Sequence, residues 1–144
     1  TDMQQDCTHP GRVVLGHPFN PPHMIPLVEV GGGERTAPQA VADAMAFYAH
    51  IGKRPIQVRR EIKGHIANRL QAALWREAFH LVDQGVATVE DIDTAISQGP
   101  GLRWARMGPF MNLHLSGATV ALPTCWPTWV APSKAGGRTW VPRP

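Results

Sequence analysis

Three prolines in six residues, in His17-Pro18-Phe19-Asn20-Pro21-Pro22, constrain this chain more than any other feature. Proline fixes φ, removes a donor and pushes the residue before it towards extended backbone, so no helix can pass through this segment. The segment must be a stiff loop that holds its side chains in fixed directions. Its flanks say what it connects. Arg12 to Gly16 is a β-branched apolar run ending in glycine, and Pro26 to Val30 is a second apolar run in which Glu29 carries the only charge. Both read as short buried strands. A carboxylate inside such a strand needs a partner, because burying it alone is costly. If the two strands are neighbours, His17 is within reach.

A buried carboxylate that accepts from one imidazole nitrogen fixes the tautomer and leaves the other nitrogen able to take a proton from a substrate hydroxyl. That would make His17 a general base and Glu29 its orienter. A His and a Glu twelve residues apart can equally be an ordinary structural pair, so the spacing leaves both readings open.

Beyond the loop the pattern turns helical. Thr36 and Gln39 have capping-box spacing, and Ala37 to Ile51 reads as a helix closed by Gly52. Pro55 to Arg59 reads as a third strand. From Gly64 to Gln84 an amphipathic helix carries Ile66, Leu70, Leu74, Ala78 and Leu81 on one face and stops at Gly85. Thr88 and Asp91 cap a helix through Ser97, and Arg103 to Leu115 reads as one more helix after Gly99-Pro100-Gly101. The fold class is therefore α+β, strands first and helices after. Gly31-Gly32-Gly33 lacks the spacing of a phosphate-binding turn and reads as a hinge into the helical part. No GxGxxG follows any strand.

Composition excludes several function classes. With 43% hydrophobic and 17% charged residues among 144, the chain suits a soluble globular fold of one domain, or one domain and part of another. No apolar run approaches the roughly 20 residues of a membrane span, and no signal peptide opens the sequence, so a cytoplasmic protein without membrane contact is expected. Cys7 and Cys125 have neither metal-knuckle nor disulfide spacing. Glu77 and His80 form a single Glu-x-x-His step, which a di-iron site would need twice, and His9, His23, His50 and His114 have no ligand spacing, so no metal is expected. The net charge of +3 gathers at the carboxy end, since no acid follows Asp93, but no basic stripe interleaved with aromatics accompanies it. Nucleic acid is not an expected partner. Arg59, Arg60 and Lys63 read as a solvated edge. Arg103 and Trp104 could bind a substrate carboxylate and a trimethylammonium group, the latter through cation-π attraction; a Trp at helical spacing is also often core.

Two blocks carry a family resemblance. Gly16-His17-Pro18-Phe19-Asn20-Pro21-Pro22 followed by Leu27-Val28-Glu29-Val30, and Gly64-His65-Ile66-Ala67-Asn68-Arg69-Leu70, resemble the signature of the 3-hydroxyacyl-CoA dehydrogenase superfamily. Leu74-Trp75-Arg76-Glu77-Ala78 and Gly99-Pro100-Gly101-Leu102-Arg103-Trp104-Ala105 look like its branch acting on small 3-hydroxy acids, the carnitine and gulonate (lambda-crystallin-like) dehydrogenases. The resemblance implies a strand remnant of a Rossmann domain in residues 1–33, then a helical substrate and dimerisation domain in 34–116 like the carboxy-terminal domain of 6-phosphogluconate dehydrogenase. It implies NAD as cofactor, a homodimer, and a small 3-hydroxy acid or acyl-CoA substrate. Position by position it implies that His17 is the base, Glu29 its orienter, Asn68 the amide that holds the reacting oxygen and Asn20 a neighbour of the nicotinamide. His65 stands where relatives commonly have an aromatic. The alternative is a non-catalytic crystallin-like protein or a helical dimerisation module.

Both ends depart from that pattern. The chain begins at Thr1 without Met, and most of a cofactor domain is expected to precede it, so the 144 residues alone are expected to be inactive. Residues 117–144 hold five of the fourteen prolines and three of the five tryptophans with no helical period, and a frameshift near Gly117 is the expected origin.

Overall fold

The computed structural model describes residues 2–115. Two compact units divide the chain, Thr1–Ala72 and Ala73–Pro144. The tail reading falls on residues outside the described ones.

The first unit is built on a three-stranded sheet. Strand β1 (Val14–Pro18) pairs antiparallel with β2 (Leu27–Gly32), and β2 pairs parallel with β3 (Arg54–Val58), in the order β1-β2-β3. Parallel pairing needs a crossover, and helix α1 (Pro38–His50) supplies it between β2 and β3. As the central strand β2 carries the core: Val28 and Val30 are fully buried, joined by Val58 of β3. Strand β1 runs on into Pro18, two residues beyond the expected end, because it is a sheet edge and an edge strand tolerates a residue without an N–H. The loop after it contains a cis Asn20–Pro21 peptide, and the Lys53 ammonium donates to the Pro22 and Ile25 carbonyls.

Two expectations change here. The triple glycine is no hinge at residue 33: Gly31 and Gly32 belong to β2, and the chain returns through α1 to the same sheet, so the unit continues well past the expected boundary. Nor does Thr36 cap α1. Ala37 occupies the N-cap without a side-chain bond, and Pro38 opens the helix, where a missing N–H costs nothing. The Thr36 hydroxyl is committed to long-range partners, donating to the Val13 carbonyl at 2.7 Å and accepting from Gln4 Nε2 and the Gly33 N–H, both at 2.9 Å.

One glycine is required by a close approach. A Cβ on Gly16 would lie 2.1 Å from the Tyr48 Oη of α1, so only glycine lets that helix cross β1 beside His17.

The boundary between the units falls within helix α2 (Ile66–Asp83). In the second unit Thr88 and Asp91 form the expected capping box of α3 (Val89–Ser97). The helix expected from Arg103 to Leu115 is two pieces, α4 (Gly101–Trp104) and α5 (Pro109–Leu115). Pro109 explains the break, since proline disfavours helical backbone at the residue before it and removes a helix donor.

Candidate active site

Strand register creates the pair. Residues directly opposite across an antiparallel ladder point to the same face with Cβ atoms about 5 Å apart, and His17 lies opposite Glu29. His17 Nδ1 is 3.2 Å from Glu29 Oε2. A carboxylate oxygen only accepts, so Nδ1 is the donor and Nε2 is the ring nitrogen that keeps its lone pair. Glu29 is completely buried, whereas the His17 side chain is 31% exposed, so one partner is sealed and the other opens to solvent.

Glu29 has a second task that the sequence did not suggest. Its Oε1 accepts from the backbone N–H of Ile66 at 2.7 Å and of Ala67 at 3.0 Å. These belong to the first turn of α2, whose N–H groups have no partner inside the helix and whose dipole favours negative charge. With three donors, both oxygens of the buried carboxylate are engaged. The helix start was legible at Gly64; the acid that meets it, 37 and 38 residues earlier in the chain, carried no local signal.

His65 is the other addition. It lies just ahead of α2 at φ 49°, and its ring stacks on His17 with centroids 4.6 Å apart and planes within 20°. Phe19 meets the His17 ring edge-on, at 5.4 Å and 77°. His17, Glu29 and His65 form a compact group of potential metal ligands, but the stacking argues against their sharing an ion. An imidazole binds a metal in its own ring plane at about 2.0–2.1 Å, and two stacked planes so nearly parallel converge far beyond that distance.

The remaining expected residues are placed as follows. Asn68 is the third residue of α2, directly after the two amides bound by Glu29, and is exposed. Asn20 is exposed in the loop after β1, next to Phe19. Arg103 and Trp104 are neighbours on α4 in the second unit, both exposed, Trp104 to 42%. Arg59, Arg60 and Lys63 are exposed on the rim of an open cleft of about 800 Å³ that His65 also lines. Gln4 was not anticipated. It is buried, donates to the Pro10 carbonyl and Thr36, and accepts from the Arg35 N–H, tying the amino-terminal segment to the end of β2.

Known proteins share this arrangement of sequence. Residues 1–62 match the family model of the 3-hydroxyacyl-CoA dehydrogenase NAD binding domain, and residues 64–128 that of the 3-hydroxyacyl-CoA dehydrogenase C-terminal domain. An L-carnitine dehydrogenase of Streptomyces griseus is 62% identical over 117 residues, which are 81% of this chain and 35% of that protein. One from Bacillus cereus is 54% identical over 115 residues, 80% of this chain and 35% of that protein. Among solved structures, a 5-formyl-3-hydroxy-2-methylpyridine 4-carboxylic acid 5-dehydrogenase, described as an NAD+ dependent dismutase, aligns with a TM-score of 0.78 at 43% identity, over 81% of this chain and 38% of its own. A 3-hydroxyacyl-CoA dehydrogenase of Archaeoglobus fulgidus aligns with a TM-score of 0.69 at 31% identity, over 79% of this chain and 39% of its own. The chain thus spans little more than a third of the length of these relatives. Residues 1–62 and 64–128 match the two domains of one family in order, and the chain belongs to the 3-hydroxyacyl-CoA dehydrogenase family.

Proposed function

We propose that this chain contributes the base and its orienting acid to an NAD-dependent dehydrogenase of 3-hydroxy acids, with a small carnitine-like substrate favoured over acyl-CoA. The observation that carries this reading is the 3.2 Å contact between His17 Nδ1 and a buried Glu29. It leaves Nε2 as the proton acceptor. His17 takes the proton of the 3-hydroxyl, and on reversal returns it to the oxygen. Glu29 stays in place, keeping Nδ1 protonated and stabilising the charge that forms on the ring. Asn68, one residue beyond the amides held by Glu29, is proposed to donate its side-chain amide to the reacting oxygen.

The fit to a dinucleotide is one-sided. Asn20, exposed in the loop after the base, offers an amide for the nicotinamide end. A glycine-rich turn for the pyrophosphate has no counterpart in this sequence. When bound, the nicotinamide supplies the redox chemistry by accepting the hydride from C3. The preference for a carnitine-like acid rests on the relatives named above, and the roles of Arg103 and Trp104 towards a carboxylate and a quaternary ammonium rest on residue chemistry alone. Among the described residues no helix is long and apolar enough to cross a membrane. A cytoplasmic location is proposed with this reading.

The partner proposed is a second copy of the chain. Phe79 is 74% exposed, and Trp75, Leu102 and Phe110 are also largely uncovered in the second unit. A second copy would cover side chains of this kind.

The test is a substrate panel of carnitine, gulonate and 3-hydroxybutyryl-CoA with NAD, run on the sequence extended at its amino end to the length of its relatives. His17→Ala is expected to lower kcat by on the order of 100-fold or more, with substrate binding retained. Unchanged turnover in that variant would remove the base assignment. The 144 residues alone are expected to reduce no NAD, and measurable turnover would show that the phosphate turn is dispensable.

A further inference from the structure

We infer that His65 is a positioning residue for His17, and that it acts through the flat face of its ring rather than as an acid, a base or a metal ligand. The inference deepens the reading of His17 as the base and rests on it. The geometry begins with what Glu29 cannot do. Its bond to Nδ1 is a single hydrogen bond on a ring otherwise tethered only through Cβ, and it leaves the ring some freedom to tilt. Two further surfaces would narrow that freedom. The structure supplies both: His65 stacks on the ring and Phe19 packs nearly perpendicular to it. Together the three contacts determine where Nε2 points.

The backbone at His65 supports the same conclusion. Its φ of 49° is a left-handed conformation that L-residues seldom adopt, and it follows Gly64 at φ 79°. A second glycine would occupy this turn more easily, yet a large ring stands there. A non-glycine residue held in such a conformation by its surroundings points to a function. The surroundings are specific. The next two amides, Ile66 and Ala67, bind Oε1 of Glu29, while Oε2 of the same carboxylate binds His17. One buried group thus fixes the base and also the turn that carries the stacking ring, so the two rings are located relative to each other.

The experiment uses the 144-residue chain with 15N-labelled histidine, reading ring nitrogen shifts and tautomer for each imidazole. In the wild type His17 is expected to show a single tautomer, protonated at Nδ1. His65→Gly removes the ring and relaxes the backbone, so the amide spectrum should keep the native fold while the loosened His17 ring leaves Glu29 part of the time and its signals shift towards an averaged tautomer. His65→Phe should restore the single tautomer, because it returns a flat face without nitrogen. If His65→Gly does not fold, His65→Phe against His65→Leu decides, since both variants carry a comparable apolar side chain and only one is flat. An unchanged His17 in the glycine or leucine variant overturns the proposal, and so does a folded phenylalanine variant that fails to restore it. In the extended protein, His65→Gly is expected to lower kcat by about 10-fold or more with little change in KM, a cost of misplacing a reacting group. If His17→Ala leaves turnover intact, the base assignment fails while the ring data stand, so the two failures are told apart.

Discussion

Among the described residues, the hydrogen bonds that mark the first and second units differ in range. In the first, Glu29 reaches Ile66 and Ala67 across 37 and 38 positions, Gln4 reaches Thr36 across 32, and His17 reaches Glu29 across 12. In the second, the capping box of α3 joins Thr88 to Asp91, three residues on. The contrast extends to burial: Val28, Val30 and Val58 are sealed in the sheet, while no residue of α3, α4 or α5 is buried. Local chemistry is enough to start a helix. Assembling a site takes residues that only the fold brings together.

The largest effect should follow from removing the longest-range acceptor. Glu29→Ala removes the acceptor of two helix amides and of the partly exposed imidazole, and each buried donor left without its partner costs about 1–3 kcal/mol. Denaturant unfolding of the 144-residue chain measures it, and a loss well under 1 kcal/mol would mean that local contacts hold both units alike. Next is Gly16→Ala, which drives a methyl group into Tyr48 and should cost about 1–3 kcal/mol through overpacking. Pairing it with Tyr48→Ala should recover part of the loss, and purely additive costs would contradict the contact.

In the second unit the same kind of measurement should register little. Phe79→Ser at an exposed position is expected to change the stability of a monomer by within about 0.5 kcal/mol. It should instead weaken self-association in sedimentation, if a second copy covers that face. The smallest effect is a pH response of α3. The Thr88 hydroxyl, and after it the Thr88 N–H, donate to Asp91 and hold its carboxyl below the ordinary aspartate value. The folded state therefore binds its proton at lower pH than the unfolded state does, so this cap stabilises above the unfolded value and is lost as pH falls through the folded one. Amide exchange at the start of α3 should quicken in that interval, and Thr88→Ala should abolish the change.

Much of the architecture was legible because it is periodic or punctuated. The proline loop, the three strands, α1, α2 and the cap of α3 all follow from spacing and turn residues. Glu29 stood out as a charge in an apolar strand, and His17 as its nearest partner. What the sequence hid was competition for side chains. Thr36 has the spacing of a cap, but its hydroxyl serves Val13, Gly33 and Gln4. His65 gave no sign of its stacking, which depends on a backbone angle that no residue pattern announces. The break before Pro109 was readable, and the apolar period beyond it masked the signal.

The shared carboxylate of Glu29 has a consequence for how the molecule is made. If β1 slipped by one residue against β2, His17 would turn to the opposite side of the sheet, and Oε2 would face Gly16 or Pro18, neither of which has a side-chain donor, while Oε1 still held its amides. A one-residue slip of this strand would therefore cost the buried acid one of its donors, so the correct register is favoured by the same carboxylate that holds the start of α2.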